Sequence, residues 1–384
     1  MEQLASPNLP EVVITGWPAI LLAFTSAMFI TWYYIPKVIT VVRQRHLEDK
    51  PGKHKIHNGD VPTLGGIGIF AGFIFGYLLG VDGNITGLSY FTAATVMLFF
   101  VGIKDDLIYL HPKKKLIGEL GSALVIVLFT DLRLTNMHGF LGFTDISAIS
   151  SYLITVFVIL LIINAVNLID GIDGLAASVG IIASVTFGLF FFLSGDYGYT
   201  AIAAALLGAL IAFIRFNISD GPHKIFMGDT GSLLIGFTLA VFAIRFNYLE
   251  AEHASFINLK STPAISVAIL IIPLFDTLRI ILVRLRNHQK PYVADKRHIH
   301  HLMLRAGFSH KEATLYLSLF NISLVAIVFM LDRIGIFMLG MLMLTLCSLA
   351  TLILIGAVKR RESSLTVPEE KDVTLQGSEQ IQEI

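Results

Sequence analysis

The sequence predicts an all-α polytopic integral membrane protein with about eleven transmembrane helices, ten if a short fourth run does not cross. Three observations predict it. Hydrophobic residues make up 55% of the 384 residues and charged residues only 15%, a balance outside the range of soluble domains. Apolar runs long enough to cross a hydrocarbon core of roughly 30 Å recur along almost the whole chain. Lys and Arg are also distributed unevenly. Alternate connections (36–63, 104–115, 170–173, 215–229, 284–311) and the C-terminal end hold 23 of them, whereas the opposite set holds only Arg133, Lys260 and Arg333. The positive-inside rule makes the first set cytoplasmic, with the N-terminus outside and the C-terminus inside.

In chain order, the first run, 12–35, lacks a basic leader and is too long for a signal-peptide core, so it is expected to be retained. The second, 64–81, opens on the glycine-rich "PTLGGIGIF" after a basic stretch with Lys53, His54, Lys55 and His57. The third, 87–103, runs into "GIKDDL", and the short fourth, 116–130, contains Glu119. After a polar segment that could form an external hairpin, the fifth, 149–169, ends in "NAVNLIDGIDGLAAS". The remaining runs lie at 174–194, 199–218, 230–248, 264–283, 312–331 and 334–358. Residues 1–361 read as one membrane domain with cytoplasmic loops, and the polar, acidic 362–384 as a disordered tail. The single cysteine, Cys347, excludes a disulfide within the chain and a cysteine-based metal site.

Acidic residues that abut apolar runs collect on the cytoplasmic side. Asp105 and Asp106 end one run before Lys113, Lys114 and Lys115; paired carboxylates beside a basic cluster suit a site that handles a divalent metal and phosphate. Asn167, Asp170 and Asp173 are spaced i, i+3, i+6, so on a continuing helix they would share a face and look into one cavity. Capping of the next helix accounts for one aspartate well and two poorly. In "KIFMGDTGSLLIGF", Asp229 lies between Gly228 and Gly231 at the start of another apolar run, where helix amides favour phosphate. The loop "DKRHIHHLMLRAGFS" brings His298, His300 and His301 beside Lys296 and Arg297, a set better matched to a diphosphate or sugar than to zinc. Oxygen ligands without cysteine favour Mg²⁺, with Mn²⁺ as its substitute. Metal plus cations implies phosphate chemistry, and the membrane setting implies a lipid substrate.

With "PTLGG", "GIKDDL", "NAVNLIDGIDGLA", "FMGDTGSLLIGF", "PLFDTLR" and "DKRHIHHLMLRAGFS" in that order between about residues 50 and 310, the chain resembles the polyprenyl-phosphate N-acetylhexosamine-1-phosphate transferases (glycosyltransferase 4 family). The resemblance implies transfer of a sugar phosphate from a UDP-N-acetylhexosamine to undecaprenyl phosphate in the bilayer of a bacterial inner membrane, with the active site cytoplasmic. "HIHH" is similar to the branch that uses a simple UDP-N-acetylhexosamine, GlcNAc above all, to initiate O-antigen, enterobacterial common antigen or teichoic acid. The three-histidine run of the phospho-MurNAc-pentapeptide transferases is absent.

Carried over by motif, Asp229 is the principal metal ligand with Asn167 near the metal or diphosphate, and Asp105 and Asp106 are acids essential for turnover. Asp170 and Asp173 line the nucleotide-sugar pocket, which Arg297, His298, His300 and His301 complete; Lys115 and Lys55 meet the lipid phosphate. No nucleic acid partner is implied, and a homodimer is left open. The alternatives are a phospho-MurNAc-pentapeptide transferase and, from another class, a secondary transporter, which would place its acids near the midplane.

Overall fold

The computed structural model describes residues 16–45, 61–81, 87–137, 139, 146–251, 259–288 and 297–365. These residues form thirteen α-helices and a short 3₁₀ turn, with no strand beyond isolated bridges. In order they are α1 (Trp17–Gln44), α2 (Gly65–Gly80), α3 (Leu88–Ile108), α4 (Pro112–Phe129), α5 (Ala148–Ile169), α6 (Leu175–Leu193) and α7 (Tyr197–Asn217). Then follow α8 (Gly228–Ala251), α9 (Thr262–Ile269), α10 (Ile271–Arg286), α11 (Ile299–Ala306), α12 (His310–Met330), the 3₁₀ turn (Asp332–Ile334) and α13 (Ile336–Leu365).

Every expected apolar run coincides with a helix, the ninth with the pair α9–α10. Among the described residues seven helices, eight with that pair, are long and apolar enough to cross a membrane, which makes the protein a polytopic membrane protein. The remaining expected runs are α2, with 16 residues, and α3 and α4, which carry charge at the ends facing each other; α11 is a short helix of 8 residues outside any of them. One span is expected over 264–283, and the structure forms it as two helices bent by 84° between α9 and α10. Pro273 accounts for the bend: it lacks an N–H, and its ring excludes the carbonyl of Ile269 from its helical place. At the other end of the chain, α13 continues through Leu365, past the expected start of the tail at 362.

Two packing features position the functional end. In the first, α2 places Gly68, Gly72, Gly76 and Gly80 along one stripe, against the α1 stripe of Ala19, Ala23, Ala27, Thr31 and Ile35. A Cβ on Gly72 would sit 2.0 Å from Thr31 Oγ1, so the two backbones meet as closely as only small residues permit. The second is α8, which is apolar all round and buried at every residue from Thr230 to Ile244. It is enclosed by α2, α3, α5 and α6. Its N-terminus therefore emerges among the ends of its neighbours, at the end of the bundle where α3 and α5 stop and α4 begins.

Candidate active site

The segment "FMGDTGS" starts α8 with Gly228 at φ +75°, a left-handed turn that suits glycine. The helix leaves its first amides without intrahelical acceptors, and Asp106, from the end of α3, supplies them. Asp106 Oδ1 accepts from the Asp229 amide at 2.7 Å; Oδ2 accepts from the Thr230 amide at 3.0 Å and from Thr230 Oγ1 at 2.5 Å. Close backbone approach permits this: a Cβ on Gly102 would lie 2.4 Å from Thr230 Cα. Because Asp106 caps α8, Asp229 is not needed for capping and turns its carboxylate outward.

Asp229 Oδ1 accepts from Lys115 Nζ and from Asn167 Nδ2, each at 2.5 Å. The Lys115 ammonium also lies 3.1 Å from Asp105 Oδ2 and donates to Asn167 Oδ1 at 3.3 Å. Asn167 Nδ2 reaches Ser232 Oγ at 2.8 Å, and Asp105 Oδ1 accepts from the Leu110 amide at 2.6 Å. Thus Asp105 and Asp106 from α3, Lys115 from α4, Asn167 from α5 and Asp229 from α8 meet at one place. The two neighbouring aspartates divide the work: Asp106 holds a helix end, while Asp105 holds a cation.

The shared face expected for Asn167, Asp170 and Asp173 is not formed. Helix α5 stops at Ile169, and Gly174, at φ +81°, begins α6 without a side-chain cap. Neither aspartate caps α6; the Gly174 amide donates to Asn217 Oδ1 at 2.6 Å. Asp170, at the turn, stays close enough to Asp229, Asp106 and Asp173 that burial and those charges hold its carboxyl well above the usual range. Asp173 turns elsewhere. Its Oδ2 pairs with Lys224 at 2.6 Å and with His310 at 3.4 Å, and its carbonyl accepts from Thr314 Oγ1 at 2.7 Å. Burial disfavours its charge, yet His310 and Lys224 outweigh burial and keep the carboxyl below its ordinary value. It fastens α12 to the loop rather than joining Asn167.

The histidines sit on α11 and the turn before it. Asp276 of "PLFDTLR", one turn after the bend, anchors them. Its Oδ2 lies 2.8 Å from His298 Nδ1, and its Oδ1 accepts from the Ile299 amide at 2.9 Å and from Arg279 at 3.0 Å. Arg279 also donates to the Arg297 carbonyl. His300 is buried against the 170s turn: a Cβ on Gly171 would fall 2.4 Å from His300 Nε2. Burial and the adjacent His301 push its imidazole down to about 3, so it is neutral. His298, His300 and His301 form one ring cluster, with the last two 4.3 Å apart. In the sequence Asp276 shows only as an aspartate inside an apolar run, and no role follows from that alone. Lys55 and Lys296 lie outside the described residues.

Among the described residues no three His, Cys, Asp or Glu side chains converge to hold a metal. Asp229 and Asn167 offer two oxygens at a spot that already attracts the Lys115 ammonium. That donor set fits a hard cation which takes few protein ligands and completes its shell with water and phosphate oxygens, as Mg²⁺ does.

The model for glycosyl transferase family 4 matches residues 88–247. The undecaprenyl-phosphate alpha-N-acetylglucosaminyl 1-phosphate transferase of Escherichia coli O157:H7 is 30% identical over 323 residues, covering 83% of this chain and 86% of the relative. The proteins of the same name from Salmonella typhi and Yersinia pestis are each 31% identical, over 71% of this chain and 73% of theirs.

Proposed function

Because the chain belongs to glycosyl transferase family 4 and is a sugar-1-phosphate transferase, we propose that it moves N-acetylglucosamine-1-phosphate from UDP-GlcNAc to undecaprenyl phosphate and releases UMP. The observation that carries this reading is the meeting of Asp105, Lys115, Asn167 and Asp229 at the end of a membrane bundle. The setting is the bacterial inner membrane, with about eleven crossings, the N-terminus outside and this end of the bundle in the cytoplasm. The product would open a cell-envelope polysaccharide such as a lipopolysaccharide or a teichoic acid.

A lipid phosphate oxygen attacks the sugar-linked phosphorus, the bond from that phosphorus to the bridging oxygen breaks, and UMP departs with the electron pair. A phosphate monoester has its second pKa near 6, so the nucleophile is already ionised at neutral pH, and a general base has little to add. The site must instead position two polyanions and neutralise their charge. Lys115 meets phosphate, Asp105 aims its ammonium, and Asp106 fixes the α8 end that carries Asp229. The His298–His301 cluster and Arg297 would bind the nucleotide sugar together with Asp170. Asp229 and Asn167 would hold Mg²⁺, which supplies charge neutralisation on the diphosphate.

The test is purified protein with Mg²⁺, undecaprenyl phosphate and a panel of UDP-sugars, scored for UMP and lipid-linked product. UDP-GlcNAc should give both in equal amounts. UMP release without lipid acceptor would overturn direct displacement, and no product from any UDP-sugar would overturn the reading.

A further inference from the structure

Helix α4 carries Lys115 and Glu119 one turn apart, and α5 carries Asn164 and Asn167 in the same way. The two helices are joined by two rungs. In one, Lys115 Nζ donates to Asn167 Oδ1 at 3.3 Å; in the other, Asn164 Nδ2 donates to Glu119 Oε2 at 2.6 Å. Glu119 is 1% exposed, and its Oε1 is buried without a hydrogen-bond partner among the described residues. A buried carboxylate with an open acceptor is costly unless a cation reaches it. The cation within reach on the same helix face is Lys115, at i−4. Its ammonium, however, is engaged with Asp229 Oδ1 and Asn167 Oδ1, the oxygens assigned above to a divalent cation. Two cations cannot share Asp229 Oδ1 without strong repulsion.

We infer that Glu119, held in place by Asn164, is a positioning residue that takes over the Lys115 ammonium when a divalent cation takes the Asp229 and Asn167 oxygens. This rests on the metal reading of the proposed function. Asp105, the other acid facing Lys115, lies 3.1 Å from it and can keep one of its hydrogens in either position. Glu119 thereby lowers the competition between lysine and metal for Asp229 without touching substrate itself.

The experiment measures Mn²⁺ binding alone, by electron paramagnetic resonance, to the full chain in nanodiscs. The variants are Glu119→Gln, Lys115→Met and the double substitution, with Asp229→Asn as control. Glutamine preserves shape and the Asn164 contact, so folding should hold; Asn164→Ala, which frees Glu119, is a second probe. Glu119→Gln should weaken Mn²⁺ binding roughly three- to tenfold when Lys115 is present, and less than about twofold when it is methionine. Equal weakening in both backgrounds, or none with Lys115 present, would overturn the inference. Saturable binding that Asp229→Asn abolishes keeps the metal reading standing whatever Glu119 does; no saturable binding to the unaltered protein overturns both.

Discussion

Replacing Asp106 separates the two things its position has been asked to do. Its carboxylate accepts the Asp229 and Thr230 amides at 2.7 and 3.0 Å and the Thr230 hydroxyl at 2.5 Å. In Asp106→Ala, the buried start of α8 loses acceptors for two amides. Each unsatisfied amide costs about 1–3 kcal/mol. The total is of order 3 kcal/mol once water enters part of the space left. Asparagine keeps one acceptor oxygen and can donate to the Thr230 hydroxyl, so it should fall between the two. Thermal unfolding in detergent should show Asp106→Ala melting roughly 4 °C lower, with Asp106→Asn in between. UMP release should fall in the same order, since a shift of about 1 Å in Asp229 is enough to cost on the order of a hundredfold. An alanine variant with unchanged melting and lost activity would refute the capping argument and return Asp106 to a direct part in turnover.

Other consequences are checked more simply. Gly72→Leu should lower the melting temperature through about 3 kcal/mol or more of clash in the α1–α2 seam, because even its Cβ would lie 2.0 Å from Thr31 Oγ1; Gly340→Ala, which meets open space, should not. Asp173 has a depressed carboxyl, so the stability it adds is present above its unfolded value near 3.8 and lost as pH falls through its lower folded value. In Lys224→Met that folded value rises, and the acid limb of a melting-temperature profile should move to higher pH. Gly171→Ala should displace His300 and lower kcat/KM for the nucleotide sugar on the order of tenfold with the melting temperature nearly kept, since its Cβ would meet the imidazole at 2.4 Å.

What could be read in advance follows from the range of each interaction. Apolar runs are local, so the helices were legible, and so was the gathering of acids at one end of the bundle. The bend at Leu270 was hidden because Pro273 does not interrupt apolarity on the scale of a span, although it removes a helix hydrogen bond. The helical spacing of Asn167, Asp170 and Asp173 misled because it assumed a helix that Asp170–Gly174 ends. Glu119 registered only as a charge that weakened a short run; its partner Asn164 lies on another helix. Asp276 stood in a recognised motif, but its grip on His298 and Ile299 crosses a connection, and no spacing within one segment predicts such a contact.

The central claim, that transfer takes place around Asp229, is tested most directly by one measurement on Asp229→Asn. UMP release and lipid-linked product are followed with Mg²⁺, undecaprenyl phosphate and UDP-GlcNAc, using protein whose melting curve matches the unaltered chain. The account predicts a loss of about a hundredfold or more in turnover. A rate near that of the unaltered enzyme would contradict it.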